Sequence, residues 1–381
     1  MINSKIKMKN ICLVTWYNSL NYGTCLQSYA LVRVLKDWGF NAYIPETFRF
    51  FYYDFFNHPI ITIKKIFEIL MNKYTNKSQE TLFEKEYNLR QKRINDFAYK
   101  YNKIYPIKSY SDYVNMQKFS DIYLTGSDQI WNPYIIREAF LLTFVKDNKR
   151  KSAYSSSIGV AKIPDSKRKL YKRALSQFYK IGVREKSAQN ELSKLLNRDI
   201  EHVLDPVYLL NKEDWESLLM PNKDFDYSNN YLLCYFVGAN KNWQKDVRLF
   251  SENNNVSVYT ITSEARIAPD FGNVFCDLGV EDFLLAIHNA KYVITDSFHA
   301  IAFCIIFQKN FVVYRRFKDN DNESQNSRIY DILKLFGLEN RLVSSYEDLN
   351  ILGQSINYEN VNIILEHERQ KSLNFLMEAI T

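Results

Sequence analysis

The chain has 381 residues, 46% of them hydrophobic and 24% charged, with a formal net charge of +7. That length predicts two domains of roughly 150–200 residues each, and the count of only 10 Gly and 8 Pro excludes a low-complexity or linker-rich chain. The charge is modest and, read along the whole chain, its basic residues look spread rather than clustered; this argues against nucleic acid and suits an anionic substrate or an anionic membrane surface.

Residues 11–16 are a short apolar run fit for a buried parallel strand. An Asn- and Tyr-rich loop at 17–23 leads into 24–38, where Leu26, Ala30 and Val34 recur at helical spacing, with Gly39 as a C-terminal cap. Strand, glycine-bearing loop and helix open a Rossmann-like unit, although the spacing is not GxGxxG and gives no dinucleotide fingerprint. Residues 49–70 break the pattern with Phe50, Phe51, Tyr52, Tyr53, Phe55 and Phe56 ahead of Pro59, and with Lys64 and Lys65 after it. Such basic, aromatic character suits a peripheral membrane interface, but rings packed on the protein's own domain explain it more simply. With a charged helix expected at 77–103, this region reads as a helical excursion near 50–103.

Alternation then returns. Strands are expected at 121–125, 151–156, 181–183 and 202–204, ending in Gly126-Ser127-Asp128, Ser157-Ile158-Gly159, Arg184-Glu185 and Asp205-Pro206. Four such ends on one sheet would build one wall of a cleft. The polar stretch 207–229, with Pro221, reads as the interdomain connection. A second series follows, with strands at 231–237, 256–262, 292–295 and 311–314 and helices near 242–252, 281–289 and 298–308. The expected architecture is α/β, with two Rossmann-like domains facing across a cleft (GT-B-like): an N-terminal domain at 1–210, a C-terminal domain at 230–345 and a helical extension at 346–381.

The most informative stretch is 292–303, a buried strand breaking into a helix with His299 on its first turn. Ligands bind where strands end in such sheets, and unpaired N–H groups at a helix start favour an anion. Asp296, Ser297 and His299 would stand at that edge. The competing reading makes Asp296 or Ser297 a cap, with His299 packed beneath. Cys12, Cys25, Cys234, Cys276 and Cys304 stand singly and read as free thiols of a reducing compartment. No run approaches ~18 apolar residues, and residues 1–10 lack a signal-peptide core. The expected location is cytoplasmic, the inner face of the membrane included. His58, His202, His288 and His367 show no metal-ligand spacing, so neither metal nor cofactor is expected.

Asn21-Tyr22-Gly23 with Leu26-Gln27, Gly126-Ser127-Asp128-Gln129-Ile130-Trp131, Tyr154 to Gly159, Val183-Arg184-Glu185-Lys186-Ser187-Ala188, Leu204-Asp205-Pro206, Asp296-Ser297-Phe298-His299-Ala300 and Asn326-Ser327-Arg328 occur in this order over nearly the whole chain. As an ordered set they resemble the polysaccharide pyruvyl transferase family. The resemblance implies a GT-B-like enzyme that moves a pyruvyl group from phosphoenolpyruvate onto two sugar hydroxyls, leaving a cyclic ketal and phosphate. The acceptor would be a cell-surface glycan or its lipid-linked precursor. Such a donor requires cations of fork geometry for its carboxylate and phosphate, an acid for its methylene carbon and stabilisation of the departing phosphate.

By the same resemblance His299 is the general acid, or a donor to the leaving phosphate, and Arg184 clamps the donor; an ion pair with Glu185 is its structural alternative. Asp128 would position or deprotonate an acceptor hydroxyl, or cap the next helix. Asn21, Tyr22 and Gly23 would line the cleft. Many family members carry R-x-H where this chain has Ser297, so the second cation must come from Arg328, Arg315 or Arg316. Tyr17, Trp131 and Trp243 are candidate sugar platforms. A nucleotide-sugar glycosyltransferase, using Glu281 or Asp282 on a ribose, and a non-catalytic glycan-binding relative are the rival readings.

Overall fold

The computed structural model describes residues 9–46, 82–145, 151–220, 225, 227, 230–238, 241–262, 268–318 and 324–381. Among these, the strands form two sheets. The first contains β1 (Asn10–Val14), β2 (Asn41–Pro45), β3 (Ile104–Tyr105), β4 (Ile122–Thr125), β5 (Lys151–Ser156), β6 (Lys180–Val183) and β7 (Glu201–His202), in the order 3-2-1-4-5-6-7. The second contains β8 (Tyr231–Tyr235), β9 (Ser257–Ile261), β10 (Asn273–Phe275), β11 (Tyr292–Thr295), β12 (Asn310–Tyr314) and β13 (Leu342–Val343), in the order 10-9-8-11-12-13. All pairings are parallel. Helices cover both faces, which is why the central strands read as unbroken apolar runs rather than alternating ones: β4 and β8 are buried at every position.

Each sheet reverses strand order once, between β1 and β4 and between β8 and β11. Those two switch points are where an open parallel sheet leaves a crevice beyond its strand ends. Asn21 to Gly23 and Gly126 to Asp128 follow the first pair; Gly238 and Asp296 to His299 follow the second. The halves share one apolar core. The helix Tyr22–Asp37 contributes Leu26 and Leu31, and the helices Val280–Asn289 and Phe298–Ile306 contribute Phe283, Ile301 and Phe303. Trp215, from the helix Lys212–Glu216, stacks edge-on to Phe303 and lies 5.6 Å from Tyr29.

The C-terminal helix Tyr358–Ile380 returns from the second half to the first sheet. Its Ser372 hydroxyl accepts the Leu204 N–H at 2.9 Å, its Ala379 carbonyl accepts the Ser152 hydroxyl at 2.7 Å, and Phe375 fills the space beside Gly182. The aromatic run at 49–70 lies outside the described residues, as does Pro221. Of the charged helix expected at 77–103, the described part is Leu82–Tyr101, tied across the halves by the Arg93–Asp277 ion pair at 3.0 Å. β2, β3, β10 and β13 were not expected from the sequence. No described helix is long and apolar enough to cross a membrane.

Candidate active site

At the second switch point, Asp296, Ser297 and His299 divide the work. The Asp296 carboxylate accepts the N–H groups of Val237 (2.8 Å) and Gly238 (2.9 Å), and Arg316 donates to the Asp296 carbonyl at 2.9 Å. Ser297 is the N-cap, its hydroxyl accepting the Ala300 N–H at 3.4 Å. Both therefore hold the strand-to-helix turn in shape, as a short polar side chain at a helix start does. The capping alternative holds for Ser297.

His299, on the first turn of the same helix, reaches across to the other half. Its ring lies against the backbone of Gly23: a Cβ at that position would stand 2.0 Å from Nδ1. Nε2 lies 3.7 Å from Asp205 Oδ2 and, although buried, has no hydrogen-bond partner. That distance is too long for a hydrogen bond, so the contact is electrostatic and Nε2 keeps its bonding capacity.

The first sheet supplies the opposite wall. Asn21 caps its helix through Gly23 N–H at 3.0 Å. Tyr22 does not line the cleft, contrary to expectation: it is fully buried, its hydroxyl donates to Leu278 O at 2.8 Å, its ring stacks on Phe283, and Arg90 covers it at 4.2 Å. Asp128 sits at φ 68°, a left-handed conformation that Asp tolerates better than most residues. One of its oxygens accepts the Gln129 N–H (2.8 Å) and the other the Thr24 hydroxyl (2.7 Å). No helix starts after it, so the capping alternative fails: its carboxylate is held by the adjoining backbone and bound inside the polar cluster.

Arg184 is the centre of that cluster. Its guanidinium donates to Asp205 (2.8 Å) and Glu185 (3.2 Å), lies 3.7 Å from Asp128, and is covered by the Phe298 ring at 4.3 Å. Nη2 is buried without a hydrogen-bond partner. Burial disfavours its charge, but three carboxylates outweigh burial and raise its pKa further. For Asp205 burial acts upward, yet His299 and Arg184 hold the carboxyl well below the usual range. Asp128 is also held low, Arg184, His299 and Thr24 outweighing its burial. Glu185 goes the other way: burial raises it despite Arg184, and its Oε2 has no partner.

Arg328, on the helix Ser327–Leu335, completes the site from the second half. It is 5% exposed and donates to Gln325 at 2.9 Å; swapping the Gln129 amide lets Gln129 accept from it as well. Among the described residues no carboxylate stands within ion-pair distance of it. Burial, with Arg316 and Arg184 as like charges, pushes it down to about 9. A buried guanidinium in that position is an unneutralised charge that an anion would relieve. The other expected cations are engaged elsewhere, Arg316 on Asp296 (3.4 Å) and Arg315 on Tyr330 and Ser344.

The structure therefore brings His299, Asp128, Arg184, Arg328 and Gly23 together, and leaves Tyr22 out. Asp205 was missed as a site residue. Its signal was Asp before Pro at a strand exit, which here caps a short turn through Val207 N–H (3.1 Å) while the other oxygen points inward. The expected sugar platforms fail: Tyr17, Trp131 and Trp243 are all at most 3% exposed. An exposed ring, Tyr134 (46%), instead lines a groove of about 700 Å³ with Lys162, Asp165, Asn326 and Tyr330. The separate space enclosed by Arg184, Asp205, Phe298 and Arg328 is about 10 Å³, room for one water. Among the described residues no group of His, Cys, Asp and Glu is arranged to hold a metal ion.

Two Rossmann-like domains that meet between their switch points around a cationic, His-bearing site define a GT-B-like fold. The chain belongs to the polysaccharide pyruvyl transferase family, whose model matches residues 21–316. No curated protein matches it by sequence. Two solved structures share the fold at low identity: a protein assigned as a UDP-N-acetylglucosamine 2-epimerase from Listeria monocytogenes (12% identical, TM-score 0.53, covering 98% of this chain and 96% of that one) and the S. aureus MnaA–UDP complex (12%, 0.50, 97% and 98%).

Proposed function

We propose that this enzyme transfers the pyruvyl group of phosphoenolpyruvate to two hydroxyls of a glycan or lipid-linked glycan, forming a ketal. The observation that carries this reading is the meeting of His299, whose buried Nε2 has no hydrogen-bond partner among the described residues, and Arg328, with no carboxylate partner among them, across the cleft from Arg184. Arg328 and Arg184 Nη2 would take the donor's carboxylate and phosphate, and His299 would protonate its methylene carbon or the leaving phosphate. Addition of the first sugar hydroxyl at C2 forms one C–O bond as the methylene becomes methyl. Loss of phosphate then breaks the C–O(P) bond, and the second hydroxyl closes the ketal. One hydroxyl proton balances the methyl group and the other leaves with phosphate.

The inner space is too small for the donor as it stands, so entry requires the elements bearing His299 and Arg328 to move apart from those bearing Arg184 and Asp205, a hinge motion typical of two-domain enzymes. The nucleotide-sugar alternative is less well supported. Asp282 is used as a cap on Gly279 N–H (2.8 Å), and Glu281 faces a surface pocket with Arg93 and Lys100.

The test is calorimetric titration of the protein and its His299→Ala variant with phosphoenolpyruvate and with UDP-N-acetylglucosamine. Binding of phosphoenolpyruvate that weakens in the variant supports the assignment. Binding of the nucleotide sugar alone would move the protein to the glycosyltransferase class.

A further inference from the structure

The groove begins where a strongly basic helix begins. Residues 162–173 hold Lys162, Lys167, Arg168, Lys169, Lys172 and Arg173 against the single acid Asp165, so most of the chain's net charge of +7 is gathered in twelve residues. The expectation of evenly spread basic residues is corrected here. The helix Asp165–Leu175 buries Tyr171, Ala174 and Leu175, and the Tyr171 hydroxyl anchors it by donating to Trp131 O at 2.6 Å. Its outer stripe is Lys169, Lys172 and Arg173, three and four residues apart and all exposed. Among the described residues, Arg168 is the one cation of the group with an acidic partner, Glu191 at 2.5 Å.

Exposed apolar residues accompany this helix. Tyr134 (46% exposed) lines the groove with Lys162 and Asp165 at the helix start, Ile135 (59%) follows it in the chain, and Tyr179 (56%) comes four residues after the helix ends, its carbonyl accepting from Arg198 at 2.8 Å. A stripe of exposed cations with exposed aromatic and aliphatic residues near it in the chain fits an anionic lipid surface, where charge draws the protein in and apolar groups enter the headgroup layer. A soluble polyanion would use the charges but not Ile135. We infer that this face docks on an anionic phospholipid surface. Lys162 and Asp165 both line the groove, so docking there sets the groove's edge against the membrane, where a lipid-borne acceptor would be presented.

The test is sedimentation of the full chain with vesicles of phosphatidylcholine alone and of phosphatidylcholine with phosphatidylglycerol, at low and high salt. The variants are Lys169→Glu/Lys172→Glu/Arg173→Glu and Ile135→Ser, with circular dichroism as the folding control. The expected result is binding to the anionic vesicles only. Binding should fall at least tenfold in the triple variant and severalfold in Ile135→Ser. The inference is overturned by equal binding to neutral vesicles, by no binding, by an unaffected triple variant, or by soluble heparin binding more tightly than vesicles with Ile135→Ser unaffected. Because the assay contains no phosphoenolpyruvate, its outcome is independent of the donor assignment.

Discussion

Gly23 and His299 occupy one another's space: the site that a side chain would take at position 23 is filled by the imidazole, 2.0 Å from Nδ1. The glycine of one half is thus the seat of the histidine of the other. Its conformational freedom is not the issue, since the helix Tyr22–Asp37 runs through it; the missing Cβ is. Gly23→Ala should displace the ring and lower kcat about 100-fold, the scale of an ångström-sized misplacement. Activity and melting temperature of Gly23→Ala measured together check this, and an active variant would remove His299 from the reaction.

His299→Asn should lower kcat by about 100- to 10,000-fold, the range of general acid catalysis. Phosphoenolpyruvate affinity should change far less, because the guanidinium groups remain. A variant with normal kcat and weakened donor binding would reassign the ring to binding alone.

Arg328→Met should make the protein more stable by about 1–3 kcal/mol, since it removes a buried cation facing two like charges. The same change should weaken phosphoenolpyruvate about 10- to 100-fold, the value of a charge-assisted hydrogen bond. Denaturant unfolding and calorimetry give the two numbers. A loss of stability would mean that the charge already has a partner in the free protein.

Arg184 behaves in the opposite sense. Removing it leaves Asp128, Glu185 and Asp205 buried together, so Arg184→Met should cost about 3–5 kcal/mol. Loss of activity in this variant is therefore uninformative without a measured fold. Chemical denaturation at neutral pH checks the magnitude.

The pH dependence follows from the carboxylates. Asp205 and Asp128 are held below their ordinary values in the folded chain. Their contribution to stability is complete above about 4, the unfolded value, and is lost as pH falls through the folded values. Glu185, raised by burial, opposes this in part, since its protonation relieves a buried charge. Unfolding free energy should hold from about pH 7 to 5 and decline below pH 4. Asp205→Asn should be less stable at neutral pH and decline less in acid; an unchanged acid limb would mean that Asp205 carries no such load.

The parallel sheets were legible because their strands are buried on both faces. Residues 231–237, 256–262, 292–295 and 311–314 are apolar runs of strand length, and β8, β9, β11 and β12 lie within them or reach one residue beyond. β2 was not, since Asn41–Pro45 ends in a proline, and β3 and β13 are too short to carry a period. His299 and Arg184 could be picked out because they stand at strand exits. What Asp205 and Gly23 do could not, because both depend on distances between halves that are 94 or more residues apart in the chain. Tyr22 misled for the same reason: its neighbours suggested a cleft, while its hydroxyl belongs to Leu278.

The returning helix Tyr358–Ile380 means that the chain passes between the halves twice, once between β7 and β8 and once before 358. Two straps leave a door on its hinge rather than two beads on a thread. If donor entry parts the halves as proposed, a hinge would return His299 to the same seat beside Gly23 on closing. Cutting the first strap alone would leave the halves joined through Ser372 and Ala379, which hold the first sheet through Leu204 and Ser152.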